Sequence, residues 1–231
     1  RYDCLASGAN QFVFNLDTKA LLKRKYGVDF ECFASMFNHY YTHYCSMFYD
    51  IEQHFGSLGS FFAIDFKEGI FMSNPPYDDT LFINIYRKFK MTVMKNKKVL
   101  FMGLFPKWDD YPLEKTMDKE HHFSHKYIIY DHFMNPYTFE NIDIPPYVLY
   151  LFHHSQFYKP TLIEQLHETI RKVYHNKIIT ESQFLQLHQH KYEKIKNIAA
   201  KQLKKPSSRQ RLKSKAKSSH KKTKKKSSGM K

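Results

Sequence analysis

Apolar positions along the chain follow two different periodicities, and their alternation predicts strands and helices in turn. Short apolar or alternating runs bounded by turn residues are typical of strands, whereas apolar residues recurring every three or four positions are typical of amphipathic helices. Strands are predicted in residues 28–35, 69–73, 98–105, 125–133 and 145–155. Helices are predicted in residues 16–27, 38–48, 78–96, 116–123, 161–176 and 182–203.

This order of elements predicts an α/β fold built on one open sheet. Strands and helices alternate through the middle of the chain, which is typical of a mostly parallel sheet. The uninterrupted apolar run at residues 98–105 is expected of a parallel strand that is covered on both faces. Ligands of such sheets bind beside the carboxyl ends of the strands. Residues 33–38, 74–79 and 106–112 are therefore expected at one edge, which is the candidate site.

The segment FMSNPPYDD, residues 71–79, leaves a predicted strand through an unusually stiff turn. Pro75 and Pro76 end the strand, because proline lacks an N–H group and restricts the backbone. The side-chain oxygen of Asn74 and the carbonyl oxygen of Pro75 are thereby held as two fixed acceptors. Tyr77 adds an aromatic ring on which a base can stack, worth roughly 1–3 kcal/mol.

Two fixed acceptors suit one particular reaction, the methylation of an aromatic amine such as N6 of adenine. The lone pair of such an amine is delocalised into the ring, and acceptors on both N–H bonds can draw it out of conjugation. Acceptors held in place before the reaction lower its barrier. The segment therefore predicts a methyl-transfer site, and an ordinary turn is the alternative interpretation.

A methyltransferase must also hold S-adenosylmethionine, but the usual glycine-rich turn after the first strand is missing here. The segment ECFASMFN, residues 31–38, occupies that place, and its small residues Ala34 and Ser35 allow a ligand to approach the backbone. Asp50 lies 19 residues after Glu31, a spacing that suits an acid bound to ribose hydroxyls. A solvated loop acid is the alternative interpretation of Asp50.

The net charge of +15 is concentrated at one end of the chain. Residues 201–231 hold 14 of the 37 Lys and Arg residues and none of the 22 Asp and Glu residues, so the first 200 residues carry a net charge of +1. Such a block suits a polyanion tether or a nuclear localisation signal, with a solubilising tail as the alternative. We predict a methyltransferase core at residues 1–160, amphipathic helices at 161–205 and a disordered basic tail at 206–231.

The cysteines, the histidines and the lengths of the apolar runs indicate the compartment of the protein and the kinds of partner it binds. The 3 cysteines are an odd number in a chain without a signal peptide, which favours an intracellular, reducing compartment. The histidines have no Cys or acid at ligand spacing, so no metal site is expected.

No apolar run is long enough for a membrane-spanning helix, so no membrane partner is expected. Because the chain begins with Arg1, a fragment or a trimmed chain is expected.

Three segments taken together resemble one known family. They are GVDFECFASMFNHYYTHYCSMFYDIEQHFGSLGSFF, GIFMSNPPYDD and VLFMGLFPKW. In these motifs the chain resembles the phosphorylated CTD interacting factor family of cap-specific adenosine N6-methyltransferases, over about residues 2–155. The resemblance is compatible with a viral or protist member of that family.

The resemblance implies a Rossmann-like, S-adenosylmethionine-dependent methyltransferase fold with flanking helices. It implies methylation of N6 of the 2′-O-methylated adenosine next to an mRNA cap, with capped mRNA or other single-stranded RNA as partner. It further implies contact with the phosphorylated tail of RNA polymerase II through regions outside this chain. The implied location is the nucleus, or the replication compartment for a viral member. The chain starts partway into the family pattern, so an N-terminal truncation is expected.

Together, the turn chemistry and the resemblance assign three groups of site residues. The catalytic turn comprises Asn74, Pro75, Pro76 and Tyr77. The cofactor contacts comprise Phe33, Ala34, Ser35, Asn38, Asp50 and Asn74. The substrate contacts comprise Tyr77, Asp79, Trp108, Asp109 and Pro112.

Some positions depart from the family pattern. Tyr77 replaces a Phe, Asp79 replaces a Glu, and Lys107 and Asp109 invert the charges that flank the family's tryptophan. At these inverted charges the resemblance does not determine the exact substrate, and in particular it does not determine a preference for capped RNA. Two alternative functions remain. The same four-residue turn would permit an adenine N6-methyltransferase acting on DNA, and the basic tail would permit a catalytically inactive module that binds nucleic acid.

Overall fold

A computed structural model describes residues 16–76, 78–107, 117, 124–130, 132–134, 141–143 and 147–187. The chain divides into two compact units, residues 1–180 and residues 181–231. In the second unit residues 181–187 are helical, and the predicted basic tail lies outside the described residues. The domain boundaries proposed from the sequence stay predictions.

The described residues of the first unit form strands and α-helices that alternate in its first half. The strands are β1 (Phe30–Glu31), β2 (His43–Tyr44), β3 (Gly69–Ser73), β4 (Val99–Pro106), β5 (Ser124–Ile129), β6 (His132–Met134), β7 (Asn141–Asp143), β8 (Tyr147–His153) and β9 (Ile178–Ile179). The α-helices are α1 (Leu16–Tyr26), α2 (Tyr49–Glu52), α3 (Asp79–Lys95) and α4 (Pro160–Val173). Short 3₁₀ turns lie at Gln53–Phe55 and Phe61–Ala63.

Seven of these strands form one sheet in the order β2-β1-β3-β4-β8-β5-β9. β1 pairs in parallel with β2 and β3, and β3 pairs in parallel with β4 from Gly69–Val99 to Ser73–Gly103. β8 runs antiparallel to both β4 and β5, and β9 runs antiparallel to β5. β6 and β7 form a separate antiparallel pair.

The α/β class is as predicted, and the seven-stranded sheet is compatible with a Rossmann-like fold. The prediction of a mostly parallel sheet is wrong, because three neighbouring pairs are parallel and three are antiparallel. The discrepancy comes from β8, whose seven residues are all buried. An uninterrupted apolar run indicates that both faces of a strand are covered, but it does not determine the direction of the strand.

Helices cover the sheet on both faces, and the side chains of β4 alternate between the two covers. Leu100 shares an apolar cluster with Leu166 of α4. Phe101, the next residue, belongs to the cluster that includes Phe89 of α3, and these two rings stack with centroids 4.2 Å apart. All eight residues of β4 are buried, as expected for a strand in the middle layer of an α/β/α arrangement.

Helix α3 begins directly after the proline turn because its first residues are capped. The side chain of Asp78 accepts a hydrogen bond from the backbone N–H of Leu81 at 2.7 Å. Asp79 in the first turn and Lys95 in the last turn complement the helix dipole. The helix predicted at residues 78–96 is thereby confirmed, and its start fixes where the proline turn ends.

The elements between β1 and α2 differ from the prediction. The strand predicted at residues 28–35 is only two residues long, and residues 38–48 contain a turn and β2 instead of a helix. The N–H of Cys45 donates to the carbonyl of Glu31 at 2.9 Å, which continues the β1–β2 ladder. Burial of Tyr41 and Tyr44 stabilises this arrangement, so tertiary pairing overrides local helix propensity.

Later elements agree better with the sequence pattern. The segment predicted as one strand at residues 125–133 divides into β5 and β6, and the helix predicted at 161–176 is α4. The helix predicted at 116–123 lies outside the described residues except for residue 117. Within the described residues, no helix has the length and apolar character of a membrane span. Nor do three His, Cys, Asp or Glu side chains there form a group that could hold a metal ion.

Three histidines lie close together where the paired strands β5 and β8 meet α4. The ring of His125 lies 5.6 Å from that of His153 and 4.5 Å from that of His167, measured between centroids. The hydroxyl of Tyr127 forms a hydrogen bond with Nδ1 of His167. Burial, with smaller contributions from His125, Arg171 and His153, lowers the pKa of His167 from 6.5 to about 4. Burial also lowers the pKa of His153.

These pKa values predict that the free energy of unfolding falls as the pH decreases from about 6.5 to about 4. The unfolded chain takes up protons at these histidines more readily than the folded chain, so acid favours unfolding. The contribution of the half-buried His167 is about 1–2 kcal/mol after allowance for solvent screening. Urea unfolding of wild type and His167→Gln at several pH values should show a flatter pH dependence in the variant.

His54→Gln is the matched control, because His54 is exposed on the turn after α2. Its pH dependence should follow that of wild type. Parallel curves for wild type and His167→Gln between pH 6.5 and 4 would show that His167 is not responsible.

Candidate functional site

A cavity of about 240 Å³ lies at the carboxyl ends of β1 and β3. The loop after β1 contributes Ala34, Ser35 and Asn38 to its wall, and the turn after β3 contributes Asn74 and Pro76. Typical ligand sites have volumes of roughly 300–1,000 Å³, so this cavity is smaller than most of them. The structure thus brings together two of the three segments that the topology argument placed at this edge.

The parallel ladder explains why these segments meet. Glu31 at the end of β1 lies opposite Met72 of β3, and the N–H of Cys32 donates to the carbonyl of Met72 at 2.7 Å. Both strands therefore end at the same level. Ser73 at the end of β3 is fully buried, whereas the Asn74 side chain that follows is half-buried and borders the cavity.

The loop at residues 32–41 is held by its own hydrogen bonds. The side-chain oxygen of Asn38 accepts from the N–H of Ser35 at 2.7 Å. The N–H groups of Asn38 and His39 both donate to the carbonyl of Ser35, at 3.2 and 3.0 Å. The N–H of Ala34 donates to the carbonyl of Cys45 at 2.9 Å, which ties the loop to β2. Asn38 therefore shapes the cavity wall as well as bordering the cavity.

Two buried carboxylates outside residues 32–41 accept hydrogen bonds from backbone N–H groups of this loop. Glu52, at the end of α2, accepts a hydrogen bond from the N–H of Met36 at 2.8 Å. Glu31 accepts from the N–H groups of Tyr40 and Tyr41 at 2.7 and 3.2 Å. Both acids line the cavity, and they are 1% and 5% exposed. Neither was among the predicted site residues.

The opposite wall is apolar and belongs to the segment around the second 3₁₀ turn. Phe61 packs against Phe33, with ring centroids 4.9 Å apart. The ammonium group of Lys88 on α3 donates to the carbonyl of Ile64 at 2.8 Å and so fastens this wall to the helix. Phe62 lies at the mouth and is 43% exposed.

Two thiols also line the cavity. Cys32 and Cys45 follow β1 and β2 directly, one position beyond the paired residues Glu31 and Tyr44. Burial raises the pKa of the Cys32 thiol well above its ordinary value and raises that of Cys45 to about 12. Both groups are therefore neutral thiols near pH 7 and act as small apolar parts of the wall.

The predicted site residues divide into three groups by their positions. Phe33, Ala34, Ser35, Asn38, Asn74 and Pro76 line the cavity, and Pro75 is buried beside it. Tyr77, Trp108, Asp109 and Pro112 lie outside the described residues. Asp79 is exposed in the first turn of α3.

Asp50, the acid predicted to bind ribose hydroxyls, is exposed on α2 and is not among the residues that line the cavity. Glu52, two residues later, occupies the position in the wall that the spacing argument had given to Asp50. One full turn of helix spans only about 3.6 residues, so a displacement of two residues points the side chain to the opposite side. A search for any acid near the expected spacing, rather than for Asp50 alone, would have included Glu52.

The charged groups in the described wall are the carboxylates of Glu31 and Glu52 and the ammonium group of Lys19. Carboxylate oxygens accept hydrogen bonds from hydroxyl or cationic groups and repel phosphate. The aromatic rings of Phe33 and Phe61 offer faces to a flat heterocycle. The cavity therefore suits a ligand that combines an aromatic ring, hydroxyl groups and a positive charge.

Comparison with known proteins agrees with the motifs. Residues 1–138 match the family model described as the phosphorylated CTD interacting factor 1 WW domain. The described residues of that stretch include α1 to β4, which carry both the β1 loop and the proline turn.

Two curated relatives, from Homo sapiens and Mus musculus, are each named mRNA (2′-O-methyladenosine-N(6)-)-methyltransferase. Each is 34% identical to this chain over 120 residues, which cover 46% of this chain and 17% of the relative. The chain therefore spans a small part of the length of the relatives that it matches. The family model covers more than half of the chain, and the chain belongs to the phosphorylated CTD interacting factor 1 family.

Proposed function

We propose that this chain forms an S-adenosylmethionine-dependent adenosine N6-methyltransferase that acts on RNA. The proposed target is the 2′-O-methylated adenosine next to an mRNA cap. The observation that carries the proposal is the position of Asn74 and Pro76 in the wall of the cavity formed by the β1 loop. The activity named for the human and mouse relatives supports the same reaction and substrate.

In this proposal Asn74 and Pro75 act on the amine of the substrate. The side-chain oxygen of Asn74 and the carbonyl oxygen of Pro75 each accept a hydrogen bond from one of its two N–H groups. These hydrogen bonds draw the nitrogen lone pair out of conjugation with the ring. Two prolines and the capped start of α3 hold the turn in place before substrate binds. Preorganised acceptors of this kind stabilise the charge that develops on the nitrogen during the reaction.

The methyl donor S-adenosylmethionine, when bound, supplies an electrophilic methyl group on a positively charged sulfur. Its proposed contacts are Phe33, Ala34, Ser35, Asn38 and Asn74. We assign the ribose hydroxyls to Glu52 instead of Asp50, because Glu52 borders the cavity. Since the carboxylates outnumber the ammonium group in the described wall, the positive charge of the donor is favoured there.

The substrate contacts remain those that the resemblance implies. Tyr77 is proposed to stack on the adenine, and Asp79, Trp108, Asp109 and Pro112 are proposed to line its approach. The position of Asp79, exposed on the first turn of α3 beside the proline turn, supports access to substrate. A cap-proximal nucleotide is unpaired, so its base can enter the site without the opening of a base pair.

The proposed partners are capped mRNA or other single-stranded RNA and, through regions outside this chain, the phosphorylated tail of RNA polymerase II. The family description, a phosphorylated CTD interacting factor, supports the second partner. The proposed location is the nucleus, or the replication compartment if the source is a virus.

Transfer of a labelled methyl group from S-adenosylmethionine to capped RNA, uncapped RNA and duplex DNA, each containing adenine, tests the proposal directly. We expect transfer to N6 of the first adenosine of capped RNA. Transfer to duplex DNA alone would identify a DNA methyltransferase. Absence of transfer to all three, together with absence of S-adenosylhomocysteine binding, would favour the inactive binding module.

Replacement Asn74→Ala should reduce kcat by roughly 10²–10³, the usual effect of removing one preorganised group that stabilises developing charge. The fold should be unchanged, because Asn74 follows the last ladder residue of β3. The measurements are single-turnover methyl transfer and thermal unfolding. Asn84→Ala, exposed on α3, is the control and should retain full turnover. Near-normal turnover of Asn74→Ala would show that the Asn74 side chain does not bind the substrate amine during catalysis.

Replacement Glu52→Gln should raise the KM for the methyl donor about 10-fold, because an ionised acceptor of the ribose hydroxyls becomes neutral. The glutamine carbonyl can still accept from the N–H of Met36, so the loop is retained. Asp50→Asn changes an exposed acid on the same short helix and should leave the KM unchanged. A larger effect at Asp50 than at Glu52 would reverse the assignment.

Deletion of residues 206–231 should weaken RNA binding at low salt and have little effect at high salt. The deleted segment contains 11 Lys and Arg residues, and their contribution comes from counterion release. A variant with the same tail composition in scrambled order should bind as wild type does. The measurement is the RNA affinity of wild type, the deletion variant and the scrambled variant across a salt series. A loss of affinity that is independent of salt would rule out this role for the tail.

A further inference from the structure

A buried ion pair lies in the wall of the cavity, with one charge on α1 and the other on β1. Lys19 and Glu31 are 3% and 5% exposed, their side chains form a direct ion pair, and both border the cavity. Removal of two charges from water is costly unless further hydrogen bonds satisfy them. Glu31 satisfies this condition through its second carboxylate oxygen.

That second oxygen accepts from the N–H groups of Tyr40 and Tyr41 at 2.7 and 3.2 Å. The hydroxyl of Tyr41 in turn donates to the carbonyl of Lys19 at 3.2 Å, which closes the network. A single carboxylate thus connects α1, β1 and the far end of the loop at residues 32–41. Its backbone carbonyl also accepts a hydrogen bond from the N–H of Cys45, directly after β2.

We propose that Glu31 is a positioning residue for cofactor binding, with Lys19 as its counter-ion. By accepting the two N–H groups, Glu31 holds the loop at residues 32–41 in the shape that receives the methyl donor. Ala34, Ser35 and Asn38, which border the cavity, lie on this loop. The inference rests on the proposed methyltransferase function, but the loop-holding step can be measured without any cofactor.

The chain contains a matched arrangement that serves as a control. Asp29 pairs with Lys23 of α1 at 2.7 Å, and its carboxylate accepts from the N–H of Thr42 at 3.3 Å. The pair therefore also connects α1 to the backbone after β1. It differs in being substantially exposed, at 44% and 40% for the Lys and Asp side chains, and in lying outside the cavity wall.

Two double variants isolate the acceptor role of Glu31. Lys19→Met/Glu31→Gln removes both charges but keeps a carbonyl that can accept from Tyr40 and Tyr41. Lys19→Met/Glu31→Leu has the same net charge as the Gln double variant, and its Leu side chain has a volume similar to that of Gln. It offers no hydrogen-bond acceptor to Tyr40 and Tyr41. Lys23→Met/Asp29→Asn and Lys23→Met/Asp29→Leu are the corresponding exposed controls.

The first measurement is amide hydrogen exchange of the ligand-free 231-residue chain. The Tyr40 and Tyr41 amides of the Leu double variant should exchange roughly 10-fold faster or more than those of the Gln double variant, because they lack an acceptor. Equal exchange in the two variants would overturn the inference, whether or not the chain binds cofactor.

The second measurement is binding of S-adenosylhomocysteine and, with capped RNA, the kinetics of methyl transfer. The Leu double variant should bind about 10-fold more weakly or worse and show a raised KM for the methyl donor, while kcat at saturating donor stays within about 3-fold of wild type. The Gln double variant should remain within about 3-fold of wild type in all three quantities, and so should both exposed controls.

The outcomes distinguish a failure of the proposed function from a failure of the loop-holding role of Glu31. If wild type does not bind S-adenosylhomocysteine but the amide exchange differs as expected, the proposed function fails and the loop-holding role stands. If wild type binds and the Leu double variant binds equally well, the positioning role is wrong. A lower kcat with an unchanged KM would also overturn it, because it indicates general damage to the fold.

Discussion

The parallel pairing of β1 with β3 is the constraint on which the rest of the site depends. Glu31 lies opposite Met72, and the next N–H along the chain, that of Cys32, donates to the same residue at 2.7 Å. Both strands consequently end at one level, and the chain leaves them in the same direction. The β1 loop and the proline turn therefore form two sides of one cavity, although they are about 40 residues apart in sequence.

The β3 side of this arrangement could be predicted because its local signals agree with its tertiary surroundings. The apolar run at residues 69–73 is β3 with the same bounds. The prolines that follow cannot continue a strand, and Asp78 caps the helix that begins next. The placement of Asn74 and Pro76 beside Ala34 and Ser35 follows from one further rule, that parallel strands carry ligands at their carboxyl ends.

The β1 side could not be predicted to the same degree, because its structure depends on partners that are distant in sequence. β1 and β2 are two residues long, and tyrosine-rich residues 38–48 are not helical because their N–H groups have acceptors elsewhere, on Glu31 among others. No periodicity reveals which acid accepts them. The same limit explains β8, since its apolar sequence suits a central strand of either direction.

Spacing along the sequence also could not determine which acid lines the cavity. Spacing from β1 indicated an acid near residue 50, and such an acid exists, but the short helix α2 presents Glu52 to the cavity and Asp50 to solvent. A shift of two positions on a helix turns a side chain by about 200°, so a spacing rule that tolerates two residues cannot choose between them. The choice depends on the hydrogen bond from Met36, which only the folded loop provides.

The same loop, residues 32–41, contains no glycine, and most of its backbone N–H groups donate within the chain. Glycine-rich turns and helix N-termini bind phosphate by presenting backbone N–H groups to it. In this loop nearly all of these groups donate within the chain, namely those of Cys32, Ala34, Ser35, Met36, Phe37, Asn38, His39, Tyr40 and Tyr41. Two buried carboxylates are among the acceptors, and they also give the wall its negative charge. A dinucleotide would therefore meet few donors and an unfavourable potential, whereas a ligand with ribose hydroxyls and a sulfonium but no phosphate meets neither obstacle.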